Sequence, residues 1–267
     1  RLELRLQHSS CGASDEDIRT ALQESYWEIH QSVSSNTSLV GGGSTASVVI
    51  QMGTKLIVAT AGDSSALVAV VCPFTQNDTN NDHDDHNKNS ANITIVHESQ
   101  PDRPTLPEER ARIENMGGKV SSCGRVMYKD KNNNKNNNNN CSWKPGIAMS
   151  RSIGDCDMIG VIATPHVHVF DVQQLLLDHD DDDATDCFLL LLLATDGITD
   201  CISPTKLATT LGGVVCNNTN DITDSVQGAA VLQDLMHQAA NVWKHKTSAS
   251  YRDDMTIVVC KTKLLHS

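Results

Sequence analysis

Three apolar runs, at 46–52, 56–61 and 66–72, follow one another with only Gly53-Thr54-Lys55 and Gly62-Asp63-Ser64-Ser65 between them. A parallel crossover needs about a dozen residues, so links this short force antiparallel neighbours. That feature argues against a doubly wound parallel sheet. Further strand-like runs stand at 93–96, 161–163, 167–172, 188–194 and 255–261. Helical spacing marks 15–33, where Ser14 and Asp17 form a capping pair and Ile18, Leu22, Ile29 and Val33 supply an apolar stripe. A charged helix is expected over 107–116, ending at Gly117-Gly118, with a short one opening at Ser203-Pro204 and a longer one over 226–243. Strands in antiparallel clusters, with helices between and after them, predict an α+β fold. No Pro- or Ser-rich linker divides the chain, so a single domain over 1–267 is expected.

Composition narrows the function classes. The net charge of −12 argues against a nucleic-acid partner whose affinity comes from neutralising phosphates. Most of the excess lies in two short stretches: 77–90 has four Asp and one Lys, and 178–186 has six Asp. These two, and the Asn-rich 130–140, lack apolar residues to offset the entropy of ordering, so all three read as disordered insertions on the surface. Asp178, Asp180 and Asp182 imitate the start of a calcium loop, but Asp183 and Leu189 occupy positions that need Gly and Glu. His83 and His86 are at most a weak metal clasp. The greasiest run, 187–194, is eight residues, far below the roughly 20 a bilayer needs. No membrane partner is expected, and the protein is expected to be a monomer. Without a visible signal peptide, the expected location is intracellular, cytoplasmic or nuclear. Cys72, Cys187 and Cys260 sit singly in apolar runs and read as small buried thiols of a reducing compartment.

The informative residues are four aspartates at strand ends. Asp63 lies in the turn between two apolar strands. Asp196 and Asp200 follow the leucine strand in Ala-Thr-Asp-Gly-Ile-Thr-Asp, and Asp253, with Asp254 beside it, precedes the final strand. Carboxylates where core strands emerge can converge on one rim of a sheet. There they repel one another unless hard cations neutralise them, and all-oxygen ligation suits Mg²⁺ or Mn²⁺. Any one of them alone would be an ordinary turn residue. Rival motifs fail on context. Gly62-x-Ser64-x-Ala66 resembles a nucleophile elbow but runs into a β-rich segment where a helix is needed. Gly41-x-Gly43-x-x-Ala46 precedes a strand, the reverse of a dinucleotide loop.

Seven ordered blocks resemble the metal-dependent protein phosphatases, the type 2C serine/threonine phosphatases. They are Gly43-Ser-Thr-Ala46; Leu56 to Ser64 with its Gly-Asp-Ser turn; His97, Pro101 and Glu109-Arg-Ala-Arg-Ile113 with Gly117-Gly118; Gly146 to Asp155; Gly160 to Pro165; 188–200; and 250–259. They span about 17–261 in order. The resemblance implies an α-β-β-α four-layer sandwich of two antiparallel sheets flanked by helices. It implies metal-dependent hydrolysis of phosphoserine and phosphothreonine in proteins by metal-activated water. Two core Mg²⁺ or Mn²⁺ ions and a third are expected as cofactors, with phosphoprotein substrates as partners. By motif position, Asp196 and Asp253 are expected to hold the core metals. Asp63 and Asp200 are expected to hold the third, with Asp196 shared. Arg151 and Asp155 are expected to be structural, Asp155 through hydrogen bonds within its turn. No catalytic residue beyond these ligands is assigned.

The chain departs from the family pattern in three places. Ser65 stands where the family has Arg, and His166 where it has Glu. Most importantly, the family's Asp-Gly-His-Gly-Gly motif does not occur in these 267 residues. Its Asp bridges the core metals, and its His is a candidate general acid. The expectation is an amino-terminally incomplete phosphatase, weakly active or inactive as it stands. The alternative is a phosphatase-like binding or regulatory protein without catalysis.

Overall fold

The computed structural model describes residues 13–36, 41–73, 91–130, 142–178, 187–217 and 226–262. The insertions at 77–90, 130–140 and 178–186 therefore fall outside the described residues, apart from Asp130 and Asp178, and so do His83 and His86. Helices alternate with antiparallel sheets in an α+β arrangement. Two compact units emerge, one of residues 1–48, 58–64 and 100–168, the other of 49–57, 65–99 and 169–267.

In the first unit, helix α1 (Asp15–Ser34) begins at a capping box: the Asp17 amide donates to Ser14 Oγ, and Asp17 accepts from the Ser14 amide at 3.0 Å. Its buried stripe is Ile18, Ala21, Leu22 and Tyr26. Ile29, expected in that stripe, is 54% exposed. The Tyr26 hydroxyl donates to the Ala59 carbonyl at 3.0 Å, which satisfies the polar end of a ring otherwise in the core. Strands β1 (Gly43–Ser44) and β8 (Ile153–Gly154) pair antiparallel. Helix α2 (Pro107–Asn115) has Pro at its start, and Ile113 packs with Val126 and Met158 in a small core. Strands β6 (Met127–Asp130) and β7 (Ser142–Pro145) form an antiparallel pair in register Lys129↔Trp143.

Strands β2 (Ala46–Met52), β3 (Lys55–Ala61) and β9 (His166–Asp171) pair in the order β2–β3–β9.

The second unit is organised on a four-stranded antiparallel sheet of order β11–β10–β4–β5. Its strands are β4 (Ser65–Pro73), β5 (Ala91–Glu98), β10 (Phe188–Ala194) and β11 (Ile257–Thr262). β4 is buried from Ser65 to Cys72, which is why its sequence is continuously apolar and not alternating. Leu67, Ala69, Val71, Phe188, Leu190 and Leu192 form the core of this unit. Leu207, Ala208, Leu211 and Val215 of α5 (Pro204–Asn217), and Leu235 and Ala239 of α6 (Val226–Lys246), belong to it too. Two shorter helices, α3 (Val172–Leu177) and α4 (Asp196–Thr199), complete the described elements. Among the described residues, no helix is long and apolar enough to cross a membrane.

Three expectations need correction. Residues 161–163 are not a strand: Ile162 makes a single bridge with Arg151, and Val161 packs on the Ile113 cluster. The helix opening at Pro204 is not short but runs 14 residues. Cys72 and Cys187 are not separate thiols but a disulfide. They stand opposite one another one step beyond the Phe188↔Val71 pair of the β4–β10 ladder, with Cα atoms 4.2 Å apart. Five free cysteines remain among the described residues: Cys123, Cys156, Cys201, Cys216 and Cys260.

Candidate functional site

Asp63, in the first unit, is 8% exposed on the turn that ends β3. Gly62 makes that turn possible, with φ +112° and no room for a side chain: a Cβ would lie 2.4 Å from Thr45 Cγ2. The turn is held from behind by Asp102, a residue that sequence reasoning missed although it adjoins Pro101. Asp102 Oδ2 accepts from the Gly62 amide at 2.9 Å, and the Asp102 amide donates to the Gly62 carbonyl at 3.0 Å. From the other side, Thr45 Oγ1 and Ser64 Oγ stand 2.8 Å apart.

Asp102 belongs to a buried polar network. Its Oδ1 lies 2.9 Å from His166 Nε2 and 3.4 Å from Arg151 Nε. Arg151 also donates to Glu109 Oε1 at 2.8 Å, and Glu109 accepts from Arg112 and Ser150 as well. Burial pushes the Glu109 carboxyl up, but the donors Arg112, Arg151 and Ser150 overcome it and hold the group down at about 2. His166, where the family has Glu, is thus a partner of Asp102. Asp155 makes the turn bond expected of it, accepting from Ser152 Oγ at 2.7 Å. Its backbone sits at φ +51°, and its carboxylate fills the space a side chain at Gly43 would need, only 2.1 Å from an added Cβ.

Asp196, Asp200 and Asp253 lie in the second unit. The pairing Ala194↔Ile257 brings the end of β10 beside the start of β11, so the segments carrying Asp196 and Asp253 emerge as neighbours. Thr195 latches them: its Oγ1 donates to the Asp254 carbonyl at 3.0 Å and accepts from the Thr256 amide at 3.0 Å. Gly197 lets them close, because an added Cβ would lie 2.2 Å from the Asp254 carbonyl oxygen. Tyr251 reports the result. Its hydroxyl donates to the Asp253 carboxylate, and that bond, with the nearby charges of Asp253, Asp196 and Asp254, pushes its pKa up. Asp200 caps α4 one turn after Asp196, its amide donating to the Asp196 carbonyl at 2.8 Å. Lys246 Nζ donates to the Asp200 carbonyl at 2.6 Å, and Trp243 Nε1 to the Gly197 carbonyl at 2.8 Å.

Asp196 and Asp253 are all-oxygen donors, the right chemistry for a hard cation. Among the described residues, no group of three or more His, Cys, Asp or Glu is placed to hold a metal ion.

The family model described as protein phosphatase 2C matches residues 2–212. Probable protein phosphatase 2C 12 of Oryza sativa subsp. japonica is 29% identical over 225 residues, covering 84% of this chain and 46% of its own length. Probable protein phosphatase 2C 61 of Arabidopsis thaliana is 26% identical, covering 84% of this chain and 56% of its own length. The chain thus spans about half the length of these curated relatives. Among solved structures, a serine-threonine phosphatase 2C from Toxoplasma gondii shares the fold. It has a TM-score of 0.63 and 18% identity, covering 98% of this chain and 74% of that one. On the match over 2–212, the chain belongs to the protein phosphatase 2C family.

Proposed function

We propose that this chain supplies most of the catalytic domain of a metal-dependent protein serine/threonine phosphatase acting on phosphoserine and phosphothreonine in proteins. The observation that supports the reading most directly is the Thr195 latch, which ties the segment carrying Asp196 to the one carrying Asp253 where β10 and β11 meet. Asp196 and Asp253 would hold the core Mg²⁺ or Mn²⁺ ions, and Asp63 and Asp200 would serve a third. When bound, such ions activate water for attack on phosphorus and neutralise the phosphoryl oxygens. The chain's own contribution is placement. The latch fixes the spacing of Asp196 and Asp253, α4 sets Asp200 one turn from Asp196, and Asp102 fixes the turn that carries Asp63.

A second reading, a phosphatase-like binding protein without catalysis, is favoured by one observation. These residues contain no Asp-Gly-His-Gly-Gly. One comparison separates the readings: phosphate release from a phosphothreonine peptide with Mn²⁺, by residues 1–267 and by a version extended with an amino-terminal segment bearing that motif. The phosphatase reading expects the extension to raise the rate by orders of magnitude, since a two-metal centre contributes several kcal/mol of transition-state stabilisation. An extended version as inert as the short one would establish the binding-protein reading instead.

A further inference from the structure

Where the carboxyl-terminal part of α1 meets the turn after β8, three side chains come together that the phosphatase chemistry leaves unused: His30, Ser34 and Cys156. The His30 ring is held on a face and at an edge. Trp27 stacks on it with centroids 5.4 Å apart and planes at 17°, and the Gly154 amide donates to its Nδ1 at 3.2 Å. Cys156 Sγ lies 3.9 Å from His30 Nε2 and in contact with Ser34 Oγ. The Ser34 hydroxyl donates to the His30 carbonyl at 2.6 Å. The cysteine is exposed.

The Gly154 bond decides what this pair can do. A ring nitrogen that accepts from an amide carries no hydrogen, so the hydrogen of the neutral imidazole sits on Nε2, facing the sulfur. Such a ring cannot take the thiol proton, and it has no lone pair on that side with which to share a metal ion. It can only donate. A donor at this place stabilises the sulfur as negative charge builds on it, which is what a thiol requires to act as a nucleophile. Ser34 completes the arrangement: with its hydrogen committed to a carbonyl, its oxygen accepts the S–H and keeps the sulfur beside the ring. Two other exposed cysteines supply the contrast. Cys123 contacts Ser121 Oγ at 3.1 Å, and Cys260 contacts the Lys261 carbonyl at 3.6 Å. A hydroxyl or carbonyl beside an exposed sulfur is ordinary in this chain, and the imidazole is what sets Cys156 apart.

Charge selects the partner. Asp155 and Asp157 flank Cys156. Asp155 is buried and accepts from Ser152, whereas Asp157 is exposed. Charges act over about 8 Å at physiological salt, so a small disulfide bearing carboxylates is repelled here and one bearing ammonium groups is attracted.

We propose that Cys156 is a modification site, at which its thiol, with His30 as hydrogen-bond donor and Ser34 as positioning group, forms mixed disulfides with small amine-bearing disulfides. The thiol gives its proton to water, and the resulting thiolate attacks one sulfur of the incoming disulfide. A new S–S bond forms as the old one breaks, and the departing thiolate takes up a proton from water. The incoming disulfide is itself the oxidant. Nothing in this chemistry requires phosphatase activity.

The test exposes residues 1–267, at pH 7 and without reductant, to cystamine or to oxidised glutathione, which carry opposite charges on the same S–S chemistry. Adducts are trapped with acid at intervals and mapped by mass spectrometry. Cystamine should modify Cys156 about threefold faster than Cys123 or Cys260. The gain is modest because about half of any stabilisation of the attacking sulfur is lost again as nucleophilicity. The preference for cystamine over oxidised glutathione should be larger at Cys156 than at Cys123, which stands two residues from Arg125. His30→Phe, which keeps a ring against Trp27 and removes the N–H, should bring Cys156 down to the rate of Cys123. If that variant melts lower, the comparison of cysteines within the wild type still decides. Equal rates at Cys156 and Cys123 in the wild type, or an unchanged Cys156 rate in a well-folded His30→Phe, would overturn the proposal. So would a stronger preference for oxidised glutathione at Cys156 than at Cys123. Protection of Cys156 by stoichiometric Zn²⁺ in the wild type and not in His30→Phe would overturn it too, by showing a lone pair where the donor should be.

Discussion

Asp102 and Gly62, 40 residues apart in sequence, grip each other twice: the carboxylate of Asp102 accepts the Gly62 amide at 2.9 Å, and the Asp102 amide donates to the Gly62 carbonyl at 3.0 Å. The turn carrying Asp63 is therefore set by a residue outside the turn. Asp102→Ala would leave a buried amide unsatisfied and strip Arg151 and His166 of a partner. A loss of about 2–3 kcal/mol in urea unfolding is expected. A loss under about 0.5 kcal/mol, the ordinary range for a neutral surface change, would show that the grip contributes nothing.

Glu109 makes the fold acid-sensitive in a defined window. Its folded pKa of about 2 lies below the ordinary 4.5, so the stability it confers is present above about 4.5 and lost as pH falls through 2. In urea titrations, wild type should weaken steeply between these values, whereas Glu109→Gln should be flatter there. At neutral pH the variant should cost about 3 kcal/mol, as expected when one member of a buried ion pair is removed. Parallel pH profiles for the two proteins would contradict the assignment.

Gly197→Ala should separate the two segments that Thr195 latches, because the new methyl would meet the Asp254 carbonyl at 2.2 Å. We expect a melting temperature several degrees lower, corresponding to about 1–3 kcal/mol of overpacking. Mn²⁺ affinity, read by calorimetry, should fall although no carboxylate has been altered. Unchanged stability and affinity would mean that the close approach is not required.

The carboxylates should rank. In the extended version, Asp196→Asn and Asp253→Asn should abolish tight Mn²⁺ binding. Asp63→Asn and Asp200→Asn should lower turnover and leave the core ions bound. Equal loss of tight binding in Asp200→Asn and Asp196→Asn would erase the distinction between core and third sites.

Much of the fold was legible because local rules and tertiary context agree. The Ser14–Asp17 capping box appears as read, and the 46–52 and 188–194 runs match β2 and β10 residue for residue. What escaped depends on partners remote in sequence. Cys72 and Cys187 look like isolated core thiols until the β4–β10 register sets them opposite one another across 115 residues. Residues 161–163 are apolar enough for a strand, yet Val161 packs on the Ile113 cluster and only Ile162 finds a bridge. The Lys129↔Trp143 pair was invisible because its strands flank the Asn-rich 130–140, where no alternation can be read. For the proposed site, the aspartates at strand ends stand out in the sequence by type and place. Asp102 and Thr195 act through backbone groups of other segments, so no motif of their own announces them.

Phosphate release from a phosphothreonine peptide by the extended version, first with Mn²⁺ and then with excess EDTA, tests the central claim most directly. The account predicts turnover with the metal, loss of at least about three orders of magnitude on chelation, and recovery when Mn²⁺ is restored. Full activity in EDTA, or a phosphorylated enzyme trapped during turnover, would contradict it.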